Sequence, residues 1–170
     1  QNKEDLEQLE SFNIFSNKKV YLIKGSGIDL NKFSFNPELN VTPKVILVSR
    51  LLKQKGIIEF LKAASEVLSK GYEVNFIVYG KIDKDNLDSI SQKDVDDWSK
   101  VSGISFAGFK DDINQVLLES HILVLPSYYG EGLPKTLIEG ASSGRAIVTT
   151  DHAGCRDAII PNKTGLLVPI

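Results

Sequence analysis

The chain has 170 residues, enough for one domain with a substantial buried core. Apolar residues make up 42% and charged residues 25%, ordinary values for a soluble globular protein. A net charge of −2 excludes the basic field that nucleic acid or anionic lipid requires, and the single Cys155 excludes an internal disulfide and a cysteine-rich zinc site.

The lone cysteine points to a reducing compartment. No apolar run reaches the length of a membrane span, and the start, QNKEDLEQLE, is unlike a signal peptide. The sequence begins at Gln1, contains no methionine and stops at GLLVPI, which reads as the end of a strand. A piece of a longer protein is expected.

In chain order, QNKEDLEQLESF predicts a polar helix with Leu6 and Leu9 on one side. KKVYLIK (18–24) and KVILVSR (44–50) predict strands, the second preceded by Pro43. GIIEFLKAASEVLSK predicts a helix, because Ile57, Leu61, Ala64 and Leu68 recur at helical spacing and Gly71 suits the position past its end. EVNFIVY is a strand closed by Gly80. Residues 81–100 are acidic and irregular, with a helix around Val95–Trp98. GISFAGF is a short strand, and DDINQVLLES a helix capped by Asp111 or Asp112, with Ile113, Val116 and Leu117 inward. HILVLP is a buried strand, PKTLIEGASSG a helix, AIVTTD a strand, CRDAII one or two helical turns, and GLLVP a last strand.

Helices alternating with near-continuous apolar strands predict an α/β fold, a Rossmann-like parallel sheet with helices on both faces. Ligands of such sheets bind beyond the carboxyl ends of the strands. After the strand KVILVS come Arg50 and Lys55, after HILVLP comes SYYGEGLPKTLIEG, and after AIVTT come Asp151, His152 and Gly154. Pro134 suits the first turn of a helix, so the amides of Lys135 and Thr136 face outward where the helix dipole favours an anion. Gly130 and Gly132 admit a close approach of ligand to backbone. Glu131 and Glu139 flank this point, and a carboxylate repels phosphate but accepts both hydroxyls of a vicinal diol. Phosphate between two diols describes a nucleotide sugar, with Arg50 and Lys55 as the cations of its diphosphate and no metal.

The same residues have plainer readings. Glu139 alone reads as a solvated helix residue, Arg50 and Lys55 as a surface pair, Asp111 and Asp112 as helix caps, and His121 as structural. His152 has no assigned role. GSGIDL mimics a dinucleotide loop, but Leu30 stands where the third glycine belongs and no clear helix follows the preceding strand, so it is rejected.

PSYYGEGLPKTLIEGASSGRAIVTTDHAGCRDAIIPNKTGLLVP resembles the C-terminal nucleotide-sugar-binding domain of retaining glycosyltransferases of family 4, the glycosyl transferases group 1, which have the GT-B fold. VSRLLKQKGIIEFLKAA resembles the family's signature of an Arg and a Lys ahead of a glycine and a helix, and GSGIDLNKF resembles the segment that opens that domain. The resemblance runs from about Val20 to Ile170. It implies a lead-in interdomain helix, truncated, over 1–19, a nucleotide-sugar-binding C-terminal domain over 20–170, and an absent N-terminal acceptor domain. Carried across, it implies that Arg50 and Lys55 hold the donor diphosphate and stabilise the leaving nucleotide. Glu131 orients the transferred sugar and Glu139 binds the ribose hydroxyls. Gly132 and Leu133 line the sugar site, the amides of Lys135 and Thr136 meet sugar or phosphate, and the base lies near Gly108, Phe109 and Lys110. Ser142 and Ser143, and His152 with Ala153, depart from the family's usual residues without removing a proposed contact.

The function so implied is transfer of a sugar with retention, without metal or other cofactor, from a nucleoside diphosphate sugar, UDP being the commonest. The acceptor would be a saccharide or lipid-linked saccharide, bound through the missing domain, in bacterial capsular, exopolysaccharide or lipopolysaccharide synthesis. The implied place is the cytoplasm, at the inner face of the plasma membrane, and this segment alone would be inactive. Alternatives from other classes are a nucleotide-sugar epimerase of related fold and a non-catalytic nucleotide-binding module. Against a receiver-like module, the end of the KVILV strand reads Val48, Ser49, Arg50, with no acidic cluster.

Overall fold

The computed structural model describes residues 2–13, 19–130 and 132–170. Six strands form one sheet: β1 (Lys44–Val48), β2 (Asn75–Tyr79), β3 (Ile104–Gly108), β4 (Ile122–Leu125), β5 (Ala146–Thr150) and β6 (Gly165–Val168). Their order is β3-β2-β1-β4-β5-β6, and every neighbouring pair is parallel. The chain winds outward from β1 through β2 to β3, then returns to the other side of β1 as β4. That reversal opens a crevice at the carboxyl ends of β1 and β4, where ligands of doubly wound sheets bind.

Period-two alternation sends successive residues of each strand to opposite faces. Val45 and Leu47 of β1 join one core with Phe60, Leu61 and Ala64 of α2 (Ile57–Ser69), and Val95 and Trp98 of α3 (Gln92–Trp98) pack against it. Ile46 and Val48 join the opposite core. There they meet Val116 and Leu117 of α4 (Ile113–Leu118), Leu137 of α5 (Lys135–Ser142) and Cys155 of α6 (Ala153–Arg156). Both faces are thus covered, as the apolar strands predict. Leu47, Leu61, Leu117 and Leu123 are fully buried, each burial contributing about 1.5–3 kcal/mol.

A further helix, α1 (Lys3–Ser11), starts at Asn2, whose side chain accepts from the Asp5 amide, and buries none of its own residues. Residues 33–36 fasten beneath α5. The Ser142 hydroxyl donates to the Phe33 carbonyl at 2.5 Å, and the buried Arg145 donates to the carbonyls of Asn36, Ser143 and Ser120. His121 is structural, as expected. Its Nδ1 accepts from the Lys44 amide at 3.0 Å, so Nε2, 2.8 Å from the Leu39 carbonyl, is the donor.

Three expectations change. Residues 19–24 form no strand, and Lys18 lies outside the described residues. Tyr21 and Ile23 are exposed there, because strand propensity needs a partner edge and a face to bury. Helix α3 begins at Gln92, ahead of Val95, because Ser91 and Asp94 form a reciprocal capping box. Of the two expected caps of α4, Asp112 takes the role, its side chain accepting from the Gln115 amide. Pro134 occupies the cap position of α5 in extended backbone, so Lys135 is the first helical residue.

Candidate functional site

Beyond β1 the chain passes Arg50 and tightens into a single 3-10 turn, Lys53–Lys55, before α2. Gly56 makes the junction at φ 75°, and a Cβ there would lie 2.1 Å from the Pro126 carbonyl oxygen. Only glycine permits that approach, which lays the turn against the end of β4. Two hydrogen bonds close the contact: the Tyr128 amide and the Ser127 hydroxyl both donate to the Gln54 carbonyl, at 3.1 and 3.2 Å. From the other side, Thr150 of β5 donates its hydroxyl to the Ser127 carbonyl, and Thr149 donates to Leu125 at 2.7 Å. The loop leaving β4 is therefore held by both neighbouring strand ends.

That loop delivers Gly132, Leu133 and Pro134 to α5. Leu133 packs against the Gly25 backbone, so the GSG loop lies over the start of this helix. The first helical hydrogen bond runs from the Leu137 amide to the Pro134 carbonyl at 3.1 Å. The amides of Lys135 and Thr136 precede it and take no backbone partner among the described residues. Leu137 points into the core, while Glu139 is only 8% exposed. Burial pushes the Glu139 carboxyl above its usual range, partly offset by Lys135, whose Nζ lies 3.9 Å away, and by Lys32. The solvated reading of Glu139 is thereby overturned. Its carboxyl is desolvated and, among the described residues, has one cation, Lys135, at 3.9 Å.

A cavity of about 320 Å³ opens at the carboxyl ends of β1, β2 and β3. Arg50, Tyr79, Lys81, Phe109, Lys110 and Thr136 line it. Lys81 lies over the Phe109 ring, 5.7 Å from its centre. Arg50 is 62% exposed and pairs with Asp83 at 3.6 Å, so it is available to an incoming anion. A larger depression of about 800 Å³ lies beside β5 and β6, lined by Ile147, Ile159 and Leu166 among others, and contains none of the residues singled out from the sequence.

The sequence-derived candidates thus sort by place. Arg50, Phe109, Lys110 and Thr136 converge on one cavity, with Gly108 ending β3 at its rim. Lys55 is half-buried at the end of the turn behind Arg50. Lys135 and Glu139 share one side of α5, one turn apart, and are not among the residues that line the cavity. Glu131 lies outside the described residues. Lys81 and Asp83 were missed, although Lys81 directly follows Gly80 at the end of β2, where the strand-end rule applies equally.

Residues 42–170 match the family model described as Glycosyl transferases group 1. The chain belongs to that family. Among relatives of this group 1 family member is the N,N'-diacetylbacillosaminyl-diphospho-undecaprenol alpha-1,3-N-acetylgalactosaminyltransferase of Campylobacter jejuni, 31% identical over 97% of this chain and 45% of its own length. Another is the amylovoran biosynthesis glycosyltransferase AmsK of Erwinia amylovora, 29% identical over 84% of this chain and 37% of its own length. This chain therefore spans less than half of either relative. The fold is that of Anabaena Alr3699/HepE, solved with UDP and glucose, at a TM-score of 0.72, 18% identity, and coverage of 85% of this chain and 42% of that one. It is the α/β Rossmann-like fold of GT-B glycosyltransferase structures. Among the described residues, no helix is long and apolar enough to cross a membrane.

Proposed function

We propose that this group 1 chain is the C-terminal, donor-binding domain, over residues 20–170, of a retaining glycosyltransferase. The enzyme moves a sugar from a nucleoside diphosphate, with UDP as the carrier, to an acceptor hydroxyl. One observation carries the reading: Arg50, the Phe109–Lys110 strand end and the first turn of α5 meet in one cavity at the strand ends, with the buried Glu139 beside it.

In this reading the base lies between Phe109, Lys110 and Lys81, where an aromatic ring and two cations suit a flat, polar heterocycle. The diphosphate lies between Arg50, Lys55 and the unpartnered amides of α5. The Glu139 carboxylate accepts from the ribose diol, Gly132 and Leu133 border the sugar, and Glu131 orients it. In the reaction the bond from the anomeric carbon to the phosphate oxygen breaks. The acceptor oxygen bonds to that carbon on the face the phosphate leaves, and the acceptor proton passes to a departing phosphate oxygen. Arg50 and Lys55 stabilise the negative charge that develops there, so the proposal needs no metal.

The acceptor belongs on a companion N-terminal domain, with residues 1–19 as the lead-in between the two, and this segment alone transfers nothing. The names of the relatives support a lipid-linked or polysaccharide acceptor, and its assembly at the cytoplasmic face of a membrane is part of the proposal. The test uses the intact enzyme with UDP-sugars and an undecaprenyl-diphosphate saccharide. A new glycoside with the donor's anomeric configuration, read by proton NMR coupling, is the expected product. An inverted glycoside would refute retention. A free epimerised nucleotide sugar with no glycoside would make the enzyme an epimerase.

A further inference from the structure

The Lys53–Lys55 turn lacks a cap of its own. The residue before it is Leu52, whose side chain cannot accept, so the amides that open the turn need partners from elsewhere. Both come from one residue 34 positions along the chain. The Asp88 carbonyl accepts from the Lys53 amide at 2.8 Å, and the Asp88 Oδ2 accepts from the Gln54 amide at 3.0 Å. Asp88 is itself fixed, its amide donating to the Asn86 Oδ1 at 3.0 Å.

The surrounding loop is fastened to the same stretch. Ser89 donates its hydroxyl to the Leu51 carbonyl at 3.1 Å and accepts from the Asp83 amide at 3.0 Å. The Ile90 amide donates to the Leu51 carbonyl at 2.9 Å, and the Ile90 side chain is 1% exposed in the core. On its far side, the turn's Gln54 carbonyl holds Ser127 and Tyr128. A carboxylate this close to a cationic turn opposes an anionic ligand, so its presence calls for a compensating role. The capping geometry supplies one.

We infer that Asp88 is a positioning residue: it caps the Lys53–Lys55 turn from a distant loop and so fixes both Lys55 and, through Gln54, the loop after β4. The inference rests on the reading of Lys55 as a diphosphate contact. A neutral side chain that still accepts should preserve this function, and a side chain that cannot accept should lose it. Removal of charge alone has the opposite sign, since it draws an anion closer in either variant.

The experiment is a titration of this chain with UDP, followed by amide chemical shifts, for the wild type, Asp88→Ala, Asp88→Asn, Lys55→Ala and the Asp88→Ala/Lys55→Ala double variant. Asp88→Ala should weaken UDP about fivefold, the scale of coupling between contacting residues. Asp88→Asn should bind at least as tightly as the wild type. The losses in the double variant should be less than additive, because part of the effect of Asp88 passes through that lysine. In the unliganded wild type the Gln54 amide should resist hydrogen exchange, a measurement that stands even if Asp88→Ala does not fold.

UDP affinity unchanged in Asp88→Ala, losses that add in the double variant, or a freely exchanging Gln54 amide would each overturn the inference while leaving the donor-domain reading intact. A wild-type chain that ignores millimolar UDP overturns both.

Discussion

The proposed ribose contact needs Glu139 ionised, yet burial favours its protonated form. Its carboxyl therefore takes up a proton at a higher pH than an exposed glutamate, whose ordinary value is 4.5. Two consequences follow by sign. Donor affinity should fall on acidification, beginning above that value, and Glu139→Gln should flatten the profile. Because the folded state holds the proton more tightly than the unfolded chain, Glu139 contributes less to stability as pH rises through its folded value, and Glu139→Gln should melt higher than wild type at neutral pH. Loss of the acceptor in Glu139→Ala should weaken donor binding by about 1.5–3 kcal/mol, the range for hydrogen bonds to a charged group. Calorimetric titration with UDP across pH reads the affinities. Gly56 yields a stability prediction of its own. Alanine there meets both a left-handed backbone and the Pro126 oxygen, so Gly56→Ala should cost about 2–4 kcal/mol in denaturant unfolding. The chemistry of Glu139 could be read from its residue type and spacing, but its burial could not. The charge that compensates it comes partly from Lys32, more than a hundred residues away.

Among the elements, the apolar strands and α2 were legible because their patterns are local. Ile57, Leu61 and Ala64 are buried at helical spacing, and Gly71 follows with a positive φ. Residues 19–24 misled because strand formers without a neighbouring edge remain irregular. The loop from 81 to 90 was legible only as acidic, since its function lies in hydrogen bonds to backbone 34 to 38 residues distant. Helix α1 is a different case. It buries none of its own residues, and one link to the body among the described residues is Arg156, which donates to Glu4 while also pairing with Asp151. Exposed pairs of this kind are worth at most about 1 kcal/mol, and a nine-residue polar helix is marginal alone. Arg156→Ala should therefore speed amide exchange throughout α1 while leaving the exchange of α5 and the unfolding midpoint unchanged.

At the scale of the molecule, the order β3-β2-β1-β4-β5-β6 converts motifs scattered along the sequence into one site. Arg50, Phe109 and Thr136 are far apart in the chain and meet because β1, β3 and β4 end on the same side of the sheet. Fold class was visible from strand patterns and motif order. The cavity itself was not, because it depends on how three loops pack. Whether this cavity receives a nucleoside diphosphate is decided by titration of the chain with UDP, GDP and ADP under two-dimensional NMR. UDP alone should shift the amides of Phe109, Lys110, Lys135, Thr136 and Glu139. Shifts confined to the depression beside β5 and β6, or none at millimolar nucleotide, would contradict this reading.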